Sequence, residues 1–219
     1  MCELIEPFSA KREQTEVVLR EETWLEVAEA VDQDASQAIE REAFLVSRIL
    51  ARDRRAFQEL YESYRPKLSH FVMRLVKRPP LVEEVVNDTM MVVWDGLDRF
   101  KGESRFSTWV FAIAYNKGMK ALTRNDDPVE NDTHETVASI APGPEQNAAD
   151  RQRHHALRRA MNALSADHRA VMDLTYFHEM GYREIAVVMN CPVDTVKTRM
   201  FHARRRLKTL LSGESSDWL

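Results

Sequence analysis

Apolar residues recur at helical spacing near the end of the chain, where residues 194–211 form one amphipathic pattern. At about 100° per residue, five apolar side chains fall on a single stripe: Val196, Met200, Ala203, Leu207 and Leu210. Such a stripe is typical of a helix that packs on its neighbours. The opposite face is polar and basic, with Phe201 near its middle. The pattern therefore predicts a docked helix with a basic outer face.

A short turn precedes this helix. Residues 182–189 form a brief helical segment, with Gly181 as its N-cap and Asn190 at its end. Pro192 then has the fixed φ that suits a helix start. Two helices joined by a tight turn, the second of them basic, are typical of a helix-turn-helix that places its second helix in a DNA major groove.

Helical periodicity also dominates the rest of the chain. Glycine is scarce and no alternating strand pattern with hairpin signals occurs, so an all-α fold is predicted. Five further helices are expected: from Glu42 to Tyr64, with a break or kink at Pro66; from Leu68 to Val76; from about Leu81 to Leu97; from an N-cap at Ser107 to about Arg124; and from an N-cap at Ser165 to about His178.

Charge is distributed unevenly along the 219 residues, although the net charge is only −4. Two basic segments alternate with acidic ones, and residues 125–150 contain three prolines and no lysine or arginine. This composition disfavours independent folding. We therefore predict two small helical domains joined by a flexible acidic linker, the second domain containing the helix-turn-helix. The expected segments are an acidic extension 1–43, a domain 44–124, a linker 125–150, a domain 151–211 and a tail 212–219.

Basic domains favour binding to a polyanion, and nucleic acid is the first partner to consider. The two cysteines, Cys2 and Cys191, form neither a disulfide framework nor a metal-binding spacing. No metal or cofactor is expected. The chain has no apolar run long enough for a membrane span and no signal peptide pattern at its start, so a cytoplasmic protein without membrane insertion is predicted.

Phe201 lies among Lys197, Thr198, His202 and Arg205 on the outer face of the last helix. One interpretation is contact of its ring with a thymine methyl or a sugar edge, beside cations that bind phosphates and purines. The other is an isolated exposed apolar residue, which is common on protein surfaces.

The predicted helix from Ser107 to Arg124 combines Trp109, Phe111 and Tyr115 with basic side chains. Aromatic rings beside cations suit unstacked bases, and the preceding polar loop with Lys101 and Arg105 could help to hold a flipped base. Alternatively, the aromatic residues belong to the hydrophobic core.

Taken in order along residues 44–211, these segments resemble the extracytoplasmic-function sigma factors, which are promoter-recognition subunits of bacterial RNA polymerase. The resemblance is carried by Val82–Asp88 with Trp94, Phe100–Trp109, Ala112–Asn116, Tyr182–Ala186 and Asn190–Arg199. A helix-turn-helix alone would be weak evidence, whereas two modules in this order are specific.

The resemblance implies a role for each surface. The predicted helix from about Leu81 to Leu97 would bind the clamp helices of core RNA polymerase. Its contact residues would be Glu83, Glu84, Asn87 and Asp88. The near promoter element would be bound and melted by Lys101, Ser104, Arg105, Trp109, Tyr115, Asn116 and Lys120. The upstream element would be bound by Lys197, Thr198, Arg199, Phe201, His202, Arg204 and Arg205, with Arg199, Arg204 and Arg205 mainly on phosphates. The linker would enter the polymerase channel that otherwise holds nucleic acid.

Residues 1–43 lie outside the resemblance. Val17, Trp24, Ala28 and Val31 share a helical face, so an acidic amphipathic helix that docks on a partner or masks a basic surface is one hypothesis. A solvated tail is the other. An anti-sigma factor or another regulator is a further possible partner.

The predicted function is therefore a non-enzymatic sigma factor that directs core polymerase to promoter DNA and helps to open it. The alternative is a free-standing helix-turn-helix regulator that binds duplex DNA without polymerase. An enzyme is disfavoured because His154, His155, His168 and His178 have no expected carboxylate or cysteine partner, and no phosphate-binding glycine loop occurs.

Overall fold

The computed structural model of the protein describes residues 37, 39–124 and 148–214. It contains helices and turns and, over these ranges, no strand, which confirms the all-α prediction. The postulated amphipathic helix of the acidic extension and nearly all of the predicted linker lie outside the described residues. The chain forms two compact units, residues 1–56 and residues 57–219.

The first unit contains helix α1, whose described part covers residues 39–50. Arg52 follows α1 in the left-handed conformation, with φ of 62°, and Asp53 then caps the next helix. One Asp53 carboxylate oxygen accepts hydrogen bonds from the backbone N–H groups of Arg55 and Ala56. The other accepts from Arg48 at 2.6 Å. The hydrogen bond from Arg48 is the main cause of the lowered pKa of Asp53.

Helix α2 begins at the end of the first unit and runs without interruption over Arg54–Val76, with Pro66 inside it. A single helix from Glu42 to Tyr64 is therefore wrong, and so is a break at Pro66, the first of the two outcomes predicted there. The chain turns at Arg52, fourteen residues before the proline. Pro66 removes one backbone donor, and the packed side chains around it, including Tyr64 and Leu68, are buried. Tertiary packing maintains the helix across that position.

Three further elements complete the part of the second unit before residue 125. Helix α3 covers Pro79–Gly96 and starts with proline at its first positions, where the missing N–H has no helical partner in any case. A 3₁₀ turn follows at Leu97–Arg99. Helix α4 covers Phe106–Arg124. Ser107 therefore lies inside its first turn, and the prediction that it is the N-cap is wrong. We call residues 57–124 the N-terminal module.

Residues 148–214 form the C-terminal module, which contains four helices. These are α5 (Ala148–Asn162), α6 (Ala166–Tyr176), α7 (Tyr182–Val188) and α8 (Val193–Glu214). The predicted N-cap is confirmed: the Ser165 hydroxyl accepts from the backbone N–H of His168. Glu184 reaches back to accept from the N–H of Gly181 at 3.0 Å, which secures the start of α7.

Both modules have well-packed interiors. In the N-terminal module the rings of Phe71 and Phe111 meet edge to face, with 5.3 Å between their centroids. Gly118 allows α4 to approach α2 closely, because a Cβ there would lie 2.6 Å from Cδ2 of Leu75. In the C-terminal module α8 packs against α5, α6 and α7. Helix α4 also packs against α7, so the two modules are in contact.

Candidate nucleic-acid interface

The helix-turn-helix consists of α7 and α8 and follows the predicted chemistry. Asn190 takes the left-handed conformation, with φ of 48°, and the N–H of Cys191 donates to the carbonyl of Ala186 at 3.0 Å. Val196, Met200, Ala203 and Leu207 are at most 7 % exposed, as the amphipathic pattern predicted, and Leu210 is half-buried. Helix α8 is thus fixed on its inner face, and its outer face is presented to solvent.

The outer face of α8 carries most of the residues predicted for the upstream element. Phe201 is 62 % exposed. Lys197, Thr198, His202, Arg204 and Arg205 are also exposed. Lys197 forms an ion pair with Asp194 at 2.9 Å, and the Thr198 hydroxyl donates to the Asp194 carbonyl. A large aromatic ring in water among cations has no packing role in the module, so this face suits contact with a duplex.

Two of the predicted phosphate-binding arginines have protein partners. Arg199 is half-buried, and its guanidinium lies 2.6 Å from a carboxylate oxygen of Asp167 in the first turn of α6. Arg204 remains exposed but donates to the Tyr176 hydroxyl at 2.8 Å. Arg199 therefore joins α8 to α6 inside the module.

Four of the residues predicted for the near element lie on α4, where they occupy two faces. Trp109, Asn116 and Lys120 share one side of the helix at about 100° per residue, and Asn116 and Lys120 are exposed. Trp109 is half-buried and packs against Phe100 and Phe106, with ring centroids 5.5 and 5.7 Å away. Phe111 is buried and belongs to the core, as the alternative interpretation held.

Tyr115 lies on the other side of α4 and is only 6 % exposed. Its hydroxyl donates to a carboxylate oxygen of Asp167, in the C-terminal module, at 2.7 Å. Burial, together with this hydrogen bond, raises the pKa of Tyr115. The ring that was predicted to meet an unstacked base is thus buried in this arrangement, with its hydroxyl bonded to α6.

The loop before α4 contains Lys101, Ser104 and Arg105, and it also meets the C-terminal module. Lys101 is exposed and Ser104 is half-buried. Arg105 lies 3.6 Å from a carboxylate oxygen of Glu184, and the buried Thr108 hydroxyl donates to the same oxygen at 3.2 Å. Asp167 and Glu184 therefore contact the surface on which a nucleic-acid strand was predicted to bind.

A charged cluster between the two modules was missed by the sequence analysis. Asp173 on α6 is 1 % exposed and forms an ion pair with Arg74 on α2. Nε2 of His178 lies 3.4 Å from the second Asp173 carboxylate oxygen. The expectation that His178 sits on a helix without a carboxylate partner is wrong. The signal available in the sequence was only that Asp173 interrupts an apolar segment of α6.

Arg169 is a second charged residue in this contact. It is 6 % exposed, and burial lowers its pKa to about 10, so it remains protonated at neutral pH. Its guanidinium donates to the Asn162 carbonyl at 3.3 Å and to the Leu75 carbonyl at 3.5 Å. Lys77 donates to the Asn162 carbonyl as well. Cations of both modules thus bind carbonyl groups at the ends of α2 and α5.

The four residues predicted to bind core polymerase lie together along the exposed side of α3. Glu83, Glu84, Asn87 and Asp88 are all exposed. Side chains of neighbouring helices hold three of them: Arg124 binds Glu84 and Lys117 binds Asp88, both at 2.9 Å, and Tyr61 donates to Asn87. We call this acidic and amide surface the α3 face.

The described residues offer neither a metal site nor a membrane-spanning helix. Over these residues there is no group of three or more histidine, cysteine, aspartate or glutamate side chains placed to hold a metal ion. None of the described helices is long and apolar enough to cross a membrane.

The fold defines a helix-turn-helix DNA-binding protein with a second helical module. Comparison with known families agrees: residues 60–127 match the model of sigma-70 region 2, and residues 154–207 match that of sigma-70 region 4. The extracytoplasmic-function (ECF) RNA polymerase sigma-E factor of Escherichia coli K12 is 30 % identical over 173 residues, which cover 74 % of this chain and 90 % of that protein.

A second relative, the RNA polymerase sigma-H factor of Pseudomonas aeruginosa, is 29 % identical over 182 residues, covering 78 % of this chain and 94 % of that protein. Among solved structures, CnrH in complex with the cytosolic domain of CnrY aligns with a TM-score of 0.59 at 25 % identity, over 79 % of this chain and 98 % of that one. The sigma factor RpoE of Bartonella quintana, in complex with the anti-sigma factor NepR, aligns with a TM-score of 0.55 at 28 % identity, over 71 % and 96 %. The chain belongs to the extracytoplasmic-function group of the sigma-70 family, the RNA polymerase sigma factors.

The Asp173 cluster gives a stability prediction. Asp173→Ala leaves Arg74 without its carboxylate, and we expect it to lower the free energy of unfolding by about 1–3 kcal/mol, measured by urea denaturation. Asp194→Ala is the matched control, because Asp194 has a lysine partner but its side chain is 89 % exposed. We expect a change within about 0.5 kcal/mol there.

A double-mutant cycle separates the ion pair from simple loss of packing. Arg74→Ala should have a smaller effect in the Asp173→Ala background than in the wild type. Equal effects in the two backgrounds would show that Asp173 and Arg74 are not energetically coupled.

Proposed function

We propose that this sigma factor binds bacterial core RNA polymerase with its α3 face, the upstream promoter element with the outer face of α8, and the near element with α4 and the loop before it. The observation that carries the proposal is Phe201, an aromatic ring 62 % exposed among cations on the helix-turn-helix. Polymerase and promoter DNA are accordingly its principal partners. Its role is promoter recognition and opening, without an enzymatic activity of its own, and its compartment is the cytoplasm.

The α3 face suits a protein partner for two reasons. Its carboxylates and amide are solvated, and their neighbours hold them in position from α2 and α4. Met91 on the same helix is 56 % exposed, which adds an apolar contact beside the charges. Interfaces commonly combine an apolar centre with charged residues at the rim.

Binding of the near element by α4 requires the two modules to separate. Tyr115 and Thr108 can meet a nucleic-acid strand only after Asp167 and Glu184 have released them. Lys120 and Asn116 need no such release, since both are exposed. We therefore infer that binding of the near element and separation of the modules occur together.

A protein regulator is part of the proposal. The relative RpoE was solved together with an anti-sigma factor, and we extend this class of partner to the present chain.

The domain boundaries 44–124 and 151–211, and the docking role of residues 1–43, remain predictions.

Run-off transcription tests the proposal as a whole. Bacterial core polymerase is incubated with fragmented genomic DNA from the source organism, with and without the protein. We expect discrete transcripts that depend on the protein. Binding to duplex DNA in the absence of polymerase, without any such transcript, would instead support the free-standing regulator.

Phe201→Ala tests the upstream contact. We expect it to weaken binding of the holoenzyme to a promoter by about 1–3 kcal/mol, the range for a base-specific contact, with little effect on random duplex. Phe44→Ala is the matched control, because Phe44 is 60 % exposed and lies outside the helix-turn-helix. Equal losses on specific and random DNA would show that the ring does not contribute to sequence recognition.

Glu83→Lys tests the α3 face. Glu83 is exposed, so charge reversal there should leave the fold unchanged. We expect binding to core polymerase to weaken by about 1 kcal/mol, roughly fivefold, in a competition assay against wild-type protein. Glu62→Lys, the same change at an exposed position on α2, should have a smaller effect. Unaltered competition by Glu83→Lys would remove this residue from the interface.

A further inference from the structure

A groove of about 490 Å³ lies beside the C-terminal half of α8, where the loop before α6 approaches it. Four of its lining side chains can carry positive charge: His168, His202, Arg205 and Arg206. The other lining residues include Ser165, Thr209 and apolar side chains, and none is acidic. The walls of this groove therefore have the charge of an anion site.

The two arginines of the groove are not neutralised by any carboxylate among the residues that the structure describes. In the part of the chain that the structure describes, no carboxylate lies within ion-pair distance of Arg205 or Arg206, and both side chains are exposed. The nearest acid in sequence, Asp167, has its two carboxylate oxygens on Arg199 and Tyr115. Asp167 therefore does not line the groove, whereas Ser165 and His168, at the N-terminal end of α6, do.

The position of the groove on α8 identifies the anion. When a recognition helix lies in the major groove, its first residues contact base edges. The DNA major groove is about 12 Å wide, and a helix with its side chains is about 10–12 Å across. The flanks of a helix that lies in it therefore meet the phosphates. Counted at about 100° per residue, His202 lies roughly 100° and Arg206 roughly 140° around the helix from Phe201. They occupy one flank of the reading face.

We propose that this groove is a phosphate-binding site that holds the DNA backbone at the edge of the upstream element, with Arg206 and His168 as contacts beyond the residues predicted from the sequence. The proposal rests on the proposed function. A duplex is favoured over an acidic protein because the groove is continuous with the face that carries Phe201, with ring centroids of Phe201 and His202 5.5 Å apart.

The test uses holoenzyme assembled from core polymerase and the full chain, carrying Arg206→Gln. The probe is a duplex promoter fragment recovered with wild-type holoenzyme. Binding is measured across a series of salt concentrations, and phosphate contacts are located by ethylation interference. Arg158→Gln is the matched control, since Arg158 is an exposed arginine on α5 outside the groove. Thermal melting confirms that both variants are folded.

We expect Arg206→Gln to weaken promoter binding by about 3- to 10-fold at moderate salt and to lower the slope of log K against log salt by about 0.9, the value for one phosphate contact. Interference at one or two phosphates beside the upstream element should disappear, and base-specific protection should stay in place. Arg158→Gln should match the wild type.

Two results would overturn the proposal. One is an unchanged salt slope and interference pattern in Arg206→Gln. The other is unchanged DNA binding with reduced retention on core polymerase, which would assign the groove to an acidic protein surface. Failure of the proposed function is distinguishable from both, because the wild-type protein would then form no holoenzyme and yield no dependent transcript.

Discussion

The arrangement of the two modules depends on a carboxylate buried between them. Asp173 is 1 % exposed, and burial of an unpaired charge would be strongly unfavourable. Burial removes the water around the carboxylate. Its ion pair with Arg74 on α2 compensates for that loss only while α6 lies against α2. Arg169 faces the same requirement, since its guanidinium donates to the Leu75 carbonyl at the end of α2. The contact is thus specified by polar groups that need partners on both sides.

This contact determines which surfaces are available. The α3 face and the outer face of α8 are exposed with the modules together, so the contacts proposed for them require no rearrangement. The second face of α4 is different, because Tyr115 and Thr108 are bonded to Asp167 and Glu184. When the modules separate, water can replace these acids as a hydrogen-bond partner. For Arg105 the loss is small, because its side chain is already 65 % exposed.

Local chemistry explains why parts of the fold were predictable. Ser165, Gly181 and Asn190 act within a few residues of themselves, through caps and a left-handed turn, so sequence spacing is sufficient to identify them. The break predicted at Pro66 and the N-cap predicted at Ser107 were wrong because tertiary packing overrode a local preference. A proline disfavours a helix locally, but side chains packed along α2 maintain it. Ser107 is a good cap by type, yet α4 begins one residue earlier, at Phe106, whose ring packs on Tyr64.

The sequence by itself determined the all-α class, the helix-turn-helix, the inner stripe of α8 and the exposure of Phe201, because each follows from the helical period and from local backbone preferences. It also determined the family, through motifs in a specific order. Only the tertiary structure decided that Tyr115 is covered, that Arg199 binds Asp167, and that Asp173, Arg74 and His178 meet. These residues are distant in the chain, and a side chain's type does not reveal which distant partner will compensate for the loss of its hydration on burial.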